Sequence, residues 1–263
     1  MLYRIEIPIS VSQPVPFSSS WGSLFHAAFL ELLPSSVVGQ LHQQSLKPWS
    51  QYLYKEKEEI VWVVTALNDD MGVLLETVLL NHLPQSWVLR QKNVQVTLKN
   101  EAKIETKTVQ QIAEHHFCTE QLCRRYLLRF VTPTTFKTEG SHVLFPTTDL
   151  LMNSLLQRWD AFSDDLSIGD DSVREHLKTH VQIRNYRLSS ASFSVDNAWI
   201  KGFQGTLDLY ISGPDALVRL AGLLLEYARF SGVGVKTALG MGGVILGEPR
   251  SFFTSRNNGS IPG

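Results

Sequence analysis

Tyr3, Ile5, Ile7 and Ile9 alternate with Arg4 and Glu6 along the first residues, the period-two pattern of a half-buried strand. The period then lengthens. Ser18, Ser19 and Ser20 offer N-cap hydroxyls, and Leu24, Ala27, Ala28 and Phe29 recur at helical spacing, so a helix is predicted over 21–33, stopped by Pro34. A loop carrying Gly39 and His42 follows. Residues 49–54 and 59–67 read as a hairpin about the charged turn 55–58. A second helix spans 71–83 and ends at Pro84, and 87–98 alternates as one strand.

The same order recurs in the second half. A strand at 124–131 precedes a helix at 149–162 with Leu151, Leu155, Leu156 and Trp159 inward, then a polar, acidic loop at 163–175. Long strands at 181–195 and 199–211 flank the turn at Asp196 and Asn197, Pro214 opens a helix reaching 230, and 244–246 is a short last strand. Two successive βαββαβ patterns predict an α+β fold of two tandem ferredoxin-like domains with antiparallel sheets. Their expected bounds are 1–120 and 121–248, with a linker inside 100–123 and a disordered tail at 249–263. The repeat is one of pattern, not of sequence identity.

The composition supports a globular chain: 263 residues, 43% hydrophobic and 19% charged, exclude collagen-like and wholly disordered classes. Apolar runs such as 60–67 are far shorter than the ~20 residues of a membrane helix. The start lacks the pattern of a signal peptide, and Cys118 and Cys123 make no disulfide framework, so a cytoplasmic protein without membrane contact is expected. The net charge of −1 announces no nucleic-acid partner by itself. Locally the picture differs. Arg124, Arg125, Arg129 and Lys137 occur with no acid over 121–138, and Lys178, Arg184 and Arg187 sit in a second acid-free stretch. Solvated strand-face cations would also give that pattern. His115, His116, Cys118 and Cys123 have loose spacing for zinc, so a linker is the better reading and no metal or cofactor is expected.

The most unusual segment is 231–243, SGVGVKTALGMGG, which sets Gly232, Gly234, Gly240, Gly242 and Gly243 around Lys236 and Thr237. Glycines permit positive φ and close approach, and consecutive exposed N–H groups can cradle an anion. The spacing matches neither a Walker loop nor a dinucleotide fingerprint. A tight helix-to-strand connection would need only one or two of these glycines.

This segment resembles the C-terminal glycine-rich signature of the CRISPR repeat-processing endoribonucleases of the RAMP superfamily. Further matches run in family order: Leu41-His42 followed by Lys47-Pro48-Trp49-Ser50; the stretch 130–137, FVTPTTFK, with Phe145-Pro146 and a helix ending LLQRW at 155–159; and 200–205, IKGFQG. The resemblance implies a metal-independent ribonuclease that cuts CRISPR repeat RNA, leaving a 2′,3′-cyclic phosphate and a 5′-OH. It also implies RNA held along the glycine loop, other CRISPR effector subunits as possible partners, and possible homodimers. His42 matches the family's catalytic histidine, His26 lies near a position where relatives carry an assisting tyrosine or histidine, and Lys47 could hold the scissile phosphate. Histidine suits proton transfer near neutral pH, and lysine suits the developing charge. Lys137, Arg129, Arg184, Arg187, Arg229 and Lys236 are candidate phosphate contacts. A non-catalytic crRNA-binding subunit with the same fold, or a ferredoxin-like pair binding a small phosphorylated molecule, are the alternative readings.

Overall fold

The computed structural model describes residues 1–89, 92–163, 167–195 and 198–247; the expected tail at 249–263 and the turn at 196–197 lie outside them. The chain runs β1 (Leu2–Val11), α1 (Trp21–Glu31), α2 (Ser35–Gln43), β2 (Trp49–Glu56), β3 (Glu59–Ala66), α3 (Asp69–Leu79), β4 (Gln85–Leu89), β5 (Val94–Leu98), β6 (Lys103–Lys107) and α4 (Val109–Phe117). It continues with β7 (Arg125–Thr134), β8 (Phe136–Thr138), β9 (Ser141–Val143), α5 (Thr148–Phe162), α6 (Asp171–His180), β10 (Val181–Val195), β11 (Ala198–Ile211), α7 (Asp215–Ser231) and β12 (Val244–Gly247).

Two antiparallel sheets organise these elements. The first has the order β2-β3-β1-β5-β4, with β6 also paired to β1; the second has the order β10-β11-β7-β12. In each, the first strand lies between the third and the last of its βαββαβ unit, which is the ferredoxin-like arrangement. Strand alternation assigns the faces. Ile5, Ile7, Leu53, Trp62 and Val64 point into a core with Phe25 and Phe29 of α1 and Leu75 of α3. Tyr126, Leu128, Phe130, Leu207 and Leu209 build the second core with α5 and α7.

The opposite face of the first sheet is not open to solvent. Tyr52, Tyr54, Val61 and Val63 are buried there against Val131 and Ile245 of the second sheet. This contact lets the first half clasp the end of α7. Arg4 Nη1 donates to the Arg229 carbonyl at 3.0 Å, and Ser50 Oγ donates to the Phe230 carbonyl at 3.1 Å. Those carbonyls belong to the last turn, which has no intrahelical partners for them, so a cation and a hydroxyl there cap the helix and fix where the glycine segment begins.

Several elements correct the expectations. The loop carrying His42 is helix α2. The single strand at 87–98 is the hairpin of β4 and β5, and the end of the loop at 163–175, from Asp171 on, is the start of α6. The supposed linker contains β6 and α4, whose Ile112 is buried in the second core. Helix α1 buries Trp21, Phe25 and Phe29 at i, i+4 and i+8, while Ala27 faces solvent.

Candidate nucleic-acid site

The glycine segment is mostly internal. Val233, Thr237, Ala238 and Met241 are buried. Its glycines approach the chain's own backbone: a Cβ on Gly240, at φ 112°, would stand 2.8 Å from Gly22 Cα, and one on Gly243 would stand 2.4 Å from the Tyr52 ring. Its N–H groups are largely engaged as well. Gly234 donates to Ser154 Oγ, Val235 to the Thr135 carbonyl, Gly242 to the Pro133 carbonyl and Gly243 to Thr132 Oγ1. These residues therefore do not offer the amides of Gly234, Val235, Gly242 and Gly243 to the expected anion-binding nest. They fold a tight plug between the two halves, and Lys236, held left-handed at φ 57°, is the exposed residue at its tip.

Beside that tip lies a cavity of about 430 Å³. Lys47, Lys137, Arg158 and Lys236 line it together with His26, Ser154 and Gln157, and no Asp or Glu is among the lining residues. His26 reaches it from α1. Its Nδ1 donates to the Ala238 carbonyl at 2.9 Å, and its ring stacks on Trp49 at 5.3 Å with planes 6° apart. A carbonyl only accepts, so Nδ1 carries the hydrogen, and in the neutral ring Nε2 is the basic nitrogen. His42 is exposed on the last turn of α2, with Nδ1 on the Val38 carbonyl at 2.9 Å, which sets the same tautomer. It does not line the cavity. Lys47 connects the two: its ammonium donates to the Leu41 and Gln44 carbonyls, capping α2, while its chain lines the cavity, and burial lowers its pKa.

Sequence reasoning missed Arg158. It is only 4% exposed, on the inward face of α5. Its Nη2 donates to the Gly234 carbonyl at 3.2 Å, its Nη1 has no hydrogen-bond partner among the described residues, and burial lowers its pKa to about 10. The signal was present. Arg158 stands seven residues after Leu151 and three after Leu155, on the apolar stripe of the helix.

The remaining candidates divide. Arg129 and Arg187 line a wider groove of about 820 Å³ with Lys55, Tyr54 and Gln204. Arg184 lies over the Tyr210 ring at 5.0 Å, and Tyr186 between Arg184 and Arg187 is more than half exposed. Arg229 is not available in the same way: both terminal nitrogens sit on the Glu105 carboxylate, at 3.1 and 2.6 Å. His115 and His116 meet neither cysteine. Both donate to Glu226 Oε2, at 3.0 and 2.9 Å, while Lys107 holds Oε1.

The comparisons with known proteins give the family and the fold. A family model described as CRISPR-associated endoribonuclease Cas6 matches residues 128–244. The CRISPR-associated endoribonuclease Cas6 of Streptococcus thermophilus is 32% identical over 231 residues, covering 85% of this chain and 90% of that protein. The chain belongs to the Cas6 family. The Cas6 endoribonuclease of Mycobacterium tuberculosis (strain CDC 1551 / Oshkosh) is 26% identical over 248 residues, 92% of this chain and 77% of its own length. Among solved structures, a Cas6 product complex superposes with a TM-score of 0.75 at 21% identity, covering 94% of this chain and all of that one. The Cas6 family model spans β7 to β12, so it includes α5 and the whole glycine plug, whereas His26, His42 and Lys47 lie before it. No helix among the described residues is long and apolar enough to cross a membrane.

Proposed function

We propose that this chain cleaves CRISPR repeat RNA at the cation-lined cavity, by attack of the 2′-OH next to the scissile phosphate and without a metal ion. The observation that carries the reading is the acid-free cavity itself, where a tautomerically defined His26 faces lysines from three separate segments. Hard divalent cations are held chiefly by carboxylates, and the described lining residues include none. Charge on the phosphorane-like transition state is instead met by ammonium groups, Lys236 at the tip of the plug and Lys137 in the same lining.

Two histidines share the proton work. One takes the 2′-OH proton on Nε2 and the other, protonated, gives one to the leaving 5′ oxygen, so the products are a 2′,3′-cyclic phosphate and a 5′-OH. His26 in the cavity wall and His42 at the end of α2 fill these roles, linked through Lys47. The groove with Arg129 and Arg187 extends the RNA path, and the exposed ring of Tyr186 offers a surface on which a base can stack.

The test is cleavage of labelled repeat RNA in excess EDTA by the wild type, His26→Ala and His42→Ala. A single cut by the wild type, with a cyclic-phosphate end, lost in both variants, is the expected result. Loss of the cut in EDTA with recovery in magnesium would overturn metal independence. Tight binding of the cognate repeat with no cut under either condition would make the chain a crRNA-holding subunit.

A further inference from the structure

We propose that Arg158 is a phosphate-binding subsite in the cavity wall, and that an RNA phosphate between α5 and the glycine plug is the partner its guanidinium lacks. The identification of that phosphate as RNA rests on the cleavage reading above; the anion subsite itself does not.

Arg4 provides the internal control. Both arginines are 4% exposed. Arg4 meets Glu6 through Nε and Nη2 at 3.2 and 2.7 Å, and its Nη1 donates to Tyr52 Oη and the Arg229 carbonyl. Among the described residues Arg158 meets no carboxylate, makes one bond to a carbonyl, and leaves Nη1 without a partner. An uncompensated buried cation is destabilising, and an apolar side chain of similar length beside Leu155 and Trp159 would fill the position without that penalty. A structural role does not explain the guanidinium; an anion that arrives from outside does.

The surroundings suit a phosphate. Ser154, one helical turn before Arg158, accepts the Gly234 N–H on Oγ and keeps its own proton to donate. Gln157 and Lys137 flank the same wall, and Lys236 closes it from the tip of the plug. The Gly234 backbone cannot retreat, because Val235 is tied to the Thr135 carbonyl at 3.0 Å. Arg158 thus couples the helix to a fixed loop at the place where the cavity needs a charge, and its attraction for an anion acts across a low-dielectric wall.

Arg158→Met and Arg158→Lys, each beside the wild type, test the proposal through two readouts. The first is thermal stability with and without inorganic phosphate. The second is affinity for repeat RNA carrying a 2′-deoxy group at the cut site. Phosphate should raise the melting temperature of the wild type and of R158K but not of R158M. R158M should bind the RNA about 10- to 100-fold more weakly, the size of one charge-assisted hydrogen bond, and R158K should retain most of the affinity. Without ligand, R158M should be at least as stable as the wild type. An R158M protein that is less stable or does not fold, or that keeps full RNA affinity and the wild-type phosphate response, overturns the subsite. A wild type stabilised by phosphate through Arg158 but unable to bind repeat RNA would leave the subsite standing and remove the RNA reading. Binding and cutting unaffected in R158M would do the reverse.

Discussion

Charge gathers in two places between the halves of this chain, and the two are built in opposite ways. Along the seam beside α7, each cation meets a carboxylate: Arg4 with Glu6, Arg229 with Glu105, and Lys107 with both Glu105 and Glu226. In the cavity beside the glycine plug, Lys47, Lys137, Arg158 and Lys236 have no carboxylate beside them among the described lining residues. Arg229–Glu105 and Lys107–Glu226 tie the halves together, Arg4–Glu6 and Lys107–Glu105 pair within one strand, and all of these charges are already matched. Unpaired ones repel each other, and only an anion from outside relieves that. The same residue types therefore do different things according to whether acids are packed beside them.

The largest effect that would sharpen this comparison is on chemistry. His26→Ala and His42→Ala should each lower the cleavage rate about 10²- to 10⁴-fold, the range of general acid–base catalysis, while affinity for uncleavable RNA changes little. Equal losses from the seam variant Arg229→Ala, measured on folded protein, would break the distinction between the two regions. Next is the plug. Gly240→Ala places a Cβ against Gly22 at a positive φ, and chemical denaturation should show a loss of about 2–4 kcal/mol. Arg229→Ala removes a two-pronged contact to Glu105 that is partly open to solvent, so a loss nearer 1 than 3 kcal/mol is expected, with the salt dependence of RNA binding unchanged. Lys236→Ala should leave stability within about 0.5 kcal/mol but reduce the slope of log affinity against log salt by about one.

The smallest effect concerns acid. Burial alone would raise the Glu226 pKa, but hydrogen bonds from His116 and Lys107, the Lys107 charge and a bond from His115 together hold it well below its ordinary value of 4.5. A depressed carboxylate stabilises the fold above its unfolded pKa and loses that contribution as pH falls toward the folded one. Melting temperature should therefore drop as pH is taken below about 4.5, and Glu226→Gln should flatten that limb while lowering the plateau near neutrality. An acid limb identical in the variant would show that the seam does not act through Glu226.

How much of this was legible in the chain depends on the range of the forces involved. Tyr3 to Ile9, the stripe from Leu151 to Trp159 and the long pair β10 and β11 were readable, because strand and helix periods are local. Helix α2 was not, since Ser35-Ser-Val-Val-Gly39 has poor helix propensity and the helix depends on Leu41 being buried and on Lys47 capping its end. The division of β4 from β5 was missed although the polar run 90–93, RQKN, interrupts the alternation and ends in Asn93, a residue suited to a turn at its φ of 50°. Arg229 and Arg158 exchanged roles for a related reason. The former looked like a free cation on a last helical turn, and the latter was hidden among leucines.

The sequence by itself determined the two βαββαβ patterns, the glycine-rich segment and the family resemblance, all of which are carried by residue type and spacing along a single stretch. Only the tertiary structure decided what the glycines approach and which cations remain unpaired. Gly22 and Gly240, like Arg229 and Glu105, are far apart in the chain, and whether they meet depends on how two sheets pack face to face. A charge becomes glue or a binding site according to its neighbours in space.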